Sequence, residues 1–357
     1  MHGSTIDHRE FLARRHFASL DGLRGLAIIA VVWHHAASDA YPDIPLAQHG
    51  EYGVALFFVI SGFLITTLLV REKERYGDIS LSAFYARRAL RIFPLYYAVL
   101  VVYAALVWLT ERDTGVGAQF WENLPYFATY TNNYFVTSGD RVIFYFAWSL
   151  AAEEQFYLVW PFLEKRLRRS VALGLLLVVL FVTIVEREAL LEGLSPKSGW
   201  SFVVSRFATP IFLGVVSAHL LHDKHNYELL ARFLGRPSAV WVVAALALLV
   251  LSLEGVPMTV IHVLFAALLV ASVMRPRHGL SWLFESRVLT RIGLVSYGVY
   301  LFHMLCLNGA RRCLAWASVD QPALVFAVTL GLAYGVAVLS HRYFEGWFMR
   351  RKGRFAR

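Results

Sequence analysis

Residues 19–36 read SLDGLRGLAIIAVVWHHA. From Leu26 to Trp33 the run is wholly apolar, yet Arg24 and His35 bracket it, and ionisable side chains in a membrane-crossing segment demand a partner or a function. The two lie eleven positions apart. At 3.6 residues per turn that spacing sets them within about 20° of one helical face and ~16 Å apart along the axis. They share a face and differ in depth, whereas His34 points about 100° away from His35. A bland reading stands beside the functional one: Arg24 snorkels to headgroups and His35 sits at an interface.

The rest of the chain repeats the apolar theme. Of 357 residues 58% are hydrophobic and 17% charged, with a mean hydropathy of +0.54, more apolar surface than one soluble core can hide. Ten apolar runs, each near the ~20 residues that span a bilayer as helix, fall near 22–37, 54–70, 93–109, 142–163, 170–185, 200–221, 239–253, 258–274, 288–307 and 323–340. The expectation is an all-α integral membrane protein of about ten transmembrane helices around a polar central cavity. Residues 1–21 form a cytoplasmic N-terminal segment, 22–345 the membrane domain and 346–357 a basic cytoplasmic tail. One longer connection, 110–141, is expected to be loop, and neither a cleavable signal peptide nor a soluble module is expected. Cys306 and Cys313 are too few for a metal site, and no metal is expected.

Charge sets the orientation. With the N-terminus inside, 26 of the 34 Lys and Arg fall on the cytoplasmic side and six opposite, with Arg24 and Arg206 in spans. That asymmetry places both termini in the cytoplasm. Because the cations spread over every loop of one face, they argue for membrane orientation and against nucleic-acid binding.

Three further groups resist a lipid reading. In FYARRALRIFPLYY, Arg87, Arg88 and Arg91 gather before the third span, with Pro94 at the expected helix start. Guanidinium groups there suit bidentate phosphate binding, although an anchor to anionic lipid explains part of the pattern. WSLAAEEQFYLVWP carries Glu153 and Glu154 about halfway along a span, pointing ~100° apart, so one can face a cavity while the other pairs with an arginine such as Arg206. RIGLVSYGVYLFHMLCLN carries Tyr297, Tyr300 and His303 at three-residue spacings. A packing role answers for any one of these groups, but His, Glu, Tyr and Arg from five spans point to a shared polar interior.

In order and spacing these motifs resemble the membrane acyltransferase-3 family, over nearly the whole chain. LDGLRGLAIIAVVWHH carries the family's Arg, ten residues, His signature as Arg24 and His35. FFVISGFLI at Phe57–Ile65, ARRALRIFPLYY with Arg88 and Arg91, WSLAAEEQFYLVWP, SRFATPIFLG and SYGVYLFH resemble the later segments. Two positions depart: Met304 and Leu305 follow His303 where the family often has Pro, and Glu345, Gly346, Trp347 replace a terminal Glu-x-Pro. Family members acylate hydroxyl groups of O-antigens, peptidoglycan, exopolysaccharides, Nod factors and macrolides. The resemblance implies a multi-pass enzyme of the cytoplasmic (inner) membrane without an SGNH hydrolase domain. It implies acyl-CoA, most often acetyl-CoA, as donor substrate with no permanently bound cofactor, and a carbohydrate, glycan or other hydroxyl as acceptor.

On that reading Arg24, Arg88 and Arg91 hold the donor. His35 is the general base, because a hydroxyl must lose its proton as it attacks a thioester and imidazole has the fitting pKa. Glu153 or Glu154 would orient or charge-stabilise it, and Tyr297, His303 and Arg206 are candidates for the substrate and oxyanion. A covalent acyl intermediate, a small cytoplasmic acceptor such as a macrolide, and a proton-coupled transporter or flippase remain the alternatives.

Overall fold

The computed structural model describes residues 7–136, 141–191, 208–275, 277–319 and 321–355; Arg206 lies outside them. The described residues are helical, with no strand among them. The α-helices of six or more residues are α1 His8–Ala13, α2 Ala18–Ala37, α3 Tyr52–Tyr76, α4 Leu81–Thr110, α5 Gly115–Ala128, α6 Trp148–Arg166, α7 Arg169–Leu191, α8 Thr209–His222, α9 Lys224–Phe233 and α10 Ala239–Leu251. They continue with α11 Met258–Met274, α12 Arg287–Leu294, α13 Ser296–Trp316, α14 Pro322–Leu339 and α15 Gly346–Arg351, the last two joined by a π-helical turn over Ser340–Glu345.

Among the described residues, helix occupies part or all of each of the ten expected runs, but not every helix is a span by itself. Three helical runs among the described residues are long and apolar enough to cross a membrane, Pro45–Tyr76, Leu81–Thr110 and Pro322–Arg351. Shorter apolar helices include Thr209–His222, Ala239–Leu251 and Met258–Met274.

Three sequence expectations need correction. The ninth run is not one helix: α12 and α13 meet at 79° across Val295. α12 is amphipathic, burying Leu289 and Gly293 and exposing Arg287 and Arg291. Secondly, Pro94 lies inside α4, which starts at Leu81 with Ser80 as its cap (Ala83 N–H to Ser80 Oγ, 3.4 Å). Proline forfeits one backbone hydrogen bond there and the helix continues. Thirdly, the 110–141 connection contains α5, capped by Thr114, whose Oγ1 accepts from Gly117 N–H at 3.1 Å.

The chain divides into two compact units, residues 1–71 with 209–338, and 72–208 with 339–357. In the first, lipid supplies no drive to hide Leu from its surroundings, so helices associate through close backbone approach at small residues. α2 shows this most clearly. A Cβ on Gly22 would lie 1.7 Å from the Phe284 carbonyl oxygen, one on Gly25 2.3 Å from that of Leu289, and one on Gly293 1.8 Å from that of Asp21. The LDGLRG segment is thus clamped backbone-to-backbone against residues 284–293. Around it Phe11 and Phe63 pack on Phe17, tilted and edge-on respectively, and Arg71 donates to the Arg14 (2.6 Å) and Phe11 (3.0 Å) carbonyls.

In the second unit Tyr96 stacks on Tyr130 with centroids 4.3 Å apart and donates to the Phe127 carbonyl at 2.8 Å. Phe144 packs edge-on against Tyr96, Tyr103 and Phe127. α6 is tied in by polar contacts: Tyr85 donates to the Leu158 carbonyl (2.7 Å), and Gln155 exchanges hydrogen bonds with Asn133 (2.9 and 3.2 Å).

Candidate functional site

α2 is continuous from Arg24 to His35, so the shared face read from their spacing is present on one helix. Arg24 reaches Asp21 one turn back at 3.8 Å, and Asp21 also takes His16 at 2.8 Å. Next to this pair, Ser19 donates to Glu285 (2.8 Å) and meets His278 Nε2 at 3.1 Å. Leu280 N–H donates to His278 Nδ1 at 3.2 Å, so the ring's proton resides on Nε2 and points to Ser19. Burial lowers the His278 pKa to about 4.

At the other end of α2, the half-buried His35 meets His303 of α13, ring centroids 5.1 Å apart and planes at 41°. His303 is fully buried, and its Nδ1 faces the Tyr300 carbonyl. A carbonyl only accepts, so Nδ1 carries the proton and the lone pair of the neutral ring is on Nε2. His34 packs edge-on against the same His35 ring, centroids 5.2 Å apart, while its Nδ1 meets the Gln48 carbonyl at 3.0 Å and its Nε2 lies 3.9 Å from Glu51. Tyr297 is half-buried on α13.

Beyond His35 a cleft of about 620 Å³ is lined by Ala36, Asp39, Arg311, Ser318 and Val325 among others. That volume lies within the roughly 300–1,000 Å³ of small-ligand sites. Arg311 donates to the His35 carbonyl at 3.3 Å, and Asp39 and Arg311 are charged neighbours of the imidazole. Neither was picked out from sequence. Asp39 sits four positions after His35, the spacing of facing residues on a helix, so a signal for it existed.

The second unit holds a different cluster. Because α4 is already helical at Arg87, the three arginines project from a helix, Arg87 and Arg91 on one face. The Arg88 guanidinium lies 4.4 Å over the Tyr157 ring, and Tyr157 donates to Glu153. Glu154 feels both Glu153 and Arg88. Arg87 donates to Glu72 at 3.4 Å and to the Phe355 carbonyl at 2.7 Å. The structure therefore brings Arg88 together with Glu153 and Glu154, and, in its own unit, His35 together with His303. The meeting of Tyr157 with Arg88 was missed, since contact between α4 and α6 leaves no local pattern.

A family model described as an acyltransferase domain, that of the acyltransferase-3 family, matches residues 17–342. The chain belongs to this family. It is accordingly a multi-pass membrane protein, in keeping with its apolar helices. Among curated relatives, the peptidoglycan O-acetyltransferase OatA of Listeria monocytogenes is 28% identical over 93% of this chain and 56% of its own length. A Staphylococcus aureus protein provisionally named an O-acetyltransferase is 27% identical over 98% of this chain and 60% of its own. Bacillus subtilis YrhL, provisionally named a peptidoglycan O-acetyltransferase, is 28% identical over 81% and 48%. The chain thus spans about half to three-fifths of the length of these relatives. No solved structure matches it.

Proposed function

We propose that the chain is an O-acyltransferase of the cytoplasmic membrane that moves an acyl group, acetyl first among candidates, from acyl-CoA to a hydroxyl of a cell-envelope glycan. The observation that carries this reading is the contact of His35 with His303 beside the 620 Å³ cleft. The relatives' names supply the acetyl group and the glycan. In keeping with the 26-to-6 charge asymmetry, the proposal includes about ten spans around a polar interior, with both termini cytoplasmic.

The chemistry follows from the residues. His35 removes the proton of an acceptor hydroxyl as its oxygen attacks the thioester carbonyl, giving a tetrahedral oxyanion. On collapse the C–S bond breaks, and the thiolate of CoA recovers the proton from His35. His303, with its Nδ1 proton committed to the Tyr300 carbonyl, packs against the His35 ring and helps fix its orientation. Arg311 and Asp39, opening on the cleft, are placed to hydrogen-bond a hydroxylated acceptor. Arg88 and Arg91, with Arg24, are assigned to the donor, arginine being the side chain best matched to phosphate oxygens.

The test is thioester turnover. Purified protein with labelled acetyl-CoA and a peptidoglycan-derived oligosaccharide is expected to release CoA and to label the sugar, and His35→Ala should abolish both. Full turnover by His35→Ala would overturn the catalytic assignment. Acceptor-independent passage of protons or glycan across liposomes, with no CoA release, would favour transport instead.

A further inference from the structure

The C-terminal segment returns to the arginine-bearing face of α4. After the π-helical turn at Ser340–Glu345 the chain forms α15 and a last turn over Lys352–Phe355, pinned where Arg87 donates to the Phe355 carbonyl at 2.7 Å. Each of the three arginines on this stretch of α4 has a carboxylate as a charged neighbour. Glu72 lies 3.4 Å from Arg87, Glu154 acts on Arg88, and Glu345 is a charged neighbour of Arg91. Glu345 is itself held by the π-helical turn, accepting from Ser340 Oγ at 3.2 Å with His341 at 3.8 Å.

Lys352 has no such counterpart. Arg91, Arg88 and Arg87 are all charged neighbours of its half-buried ammonium, in the turn that Arg87 pins through the Phe355 carbonyl, and that ammonium makes no hydrogen bond or ion pair among the described residues. Burial first, then the charges of Arg91, Arg88 and Arg87, push its pKa down to about 8. A strongly hydrated ammonium held among three cations costs free energy unless an anion joins it. Arg88 meanwhile is steadied by the face of Tyr157 and makes no side-chain hydrogen bond among the described residues, so its N–H donors are available to that anion. Lysine as a point charge and arginine as a planar fork are the complementary pair that phosphate sites use.

We infer that Lys352, brought back by the C-terminal turn, completes with Arg88 a binding site for a phosphate group of the acyl donor. This rests on the donor reading given above and adds a residue that the Arg-x-x-Arg pattern does not contain. It makes the tail part of donor recognition. A phospholipid headgroup offers the same chemistry, so the experiment must tell the two sources apart.

Coenzyme A binding to the full chain is measured by calorimetry in nanodiscs of neutral phosphatidylcholine, with pantetheine as the phosphate-free probe. Lys352→Ala and Lys352→Gln should weaken coenzyme A about tenfold or more, the worth of a charge-assisted contact, and leave pantetheine unchanged; Lys352→Arg should restore most of the loss. As a second readout, acetic anhydride at pH 8 should label Lys352 ahead of Lys73, Lys165 and Lys224, and coenzyme A should protect it. If coenzyme A binds and Arg88→Ala weakens it while both Lys352 variants bind as wild type, this inference fails and the donor reading stands. If wild type does not bind coenzyme A, the donor reading fails. In a second arm with phosphatidylglycerol added to the nanodiscs, Lys352 variants that alter only the amount of that lipid retained, with coenzyme A binding unchanged, would assign the phosphate to lipid and overturn the inference.

Discussion

The His35 region of the first unit and the Arg88 region of the second solve opposite electrostatic problems. Around His35 the decisive groups are rings: His303 has its proton committed to a carbonyl, and His34 is tied off by Gln48. Around Arg88 the groups are permanent charges, steadied by an aromatic face, by carboxylates and by the Phe355 carbonyl. The first arrangement is suited to moving a proton, since neutral imidazole can both accept and return one. The second is suited to holding an anion, since guanidinium groups never give up their protons. The proposed reaction, which joins a phosphate-bearing donor to a hydroxyl acceptor, needs one region of each kind.

Removing the proton carrier should do the most damage. His35→Ala is expected to lower kcat by roughly 10²–10⁴-fold with little change in donor affinity, read from steady-state kinetics; a rise in KM alone would move His35 to the binding class. Arg88→Ala should show the reverse split, a rise in donor KM of about 10–100-fold with kcat changed far less, measured by varying acetyl-CoA. A matching fall in kcat would blur the contrast between the regions.

A third prediction concerns stability. The folded pKa of His278, about 4, lies below the ~6.5 of an unfolded histidine. As pH falls below 6.5 the unfolded chain takes up a proton that the folded site refuses, and stability drops until pH 4. From pH 7 to pH 5 the loss attributable to His278 is about 2 kcal/mol. His278→Gln, which cannot titrate, should flatten the acid limb of unfolding curves in detergent by that amount, and an unchanged limb would refute it. The smallest effect is expected for Tyr157→Phe, which keeps the ring under Arg88 and loses only the hydroxyl bonded to Glu153. Donor KM should shift by no more than about threefold, whereas Tyr157→Leu should approach Arg88→Ala.

Helix positions were legible in the sequence because apolar runs of bilayer length leave few other solutions. What escaped was set by contacts between distant segments. The break at Val295 adjoins Gly293, whose backbone rests on Asp21, some 270 positions earlier in the sequence. Helix α5 was read as loop because Gly115, Gly117 and Pro125 weaken its local signal. Within the site, Arg88 was legible as one of a cluster of three arginines and His303 as an imidazole on a helix, but the rings they meet, Tyr157 and His35, come from other helices. Lys352 looked like one more basic residue of a tail, and only the return of that tail to α4 singles it out.

The glycine clamp at the start of α2 has a mechanical consequence. His35 lies thirteen residues beyond Gly22, so the helix between them is a lever arm of about 20 Å, and a tilt of only ~5° at the clamp would swing the imidazole by nearly 2 Å. Displacements of that size are enough to disable a reacting pair. Gly22 and Gly25 would then govern turnover from the far end of the lever without touching either substrate.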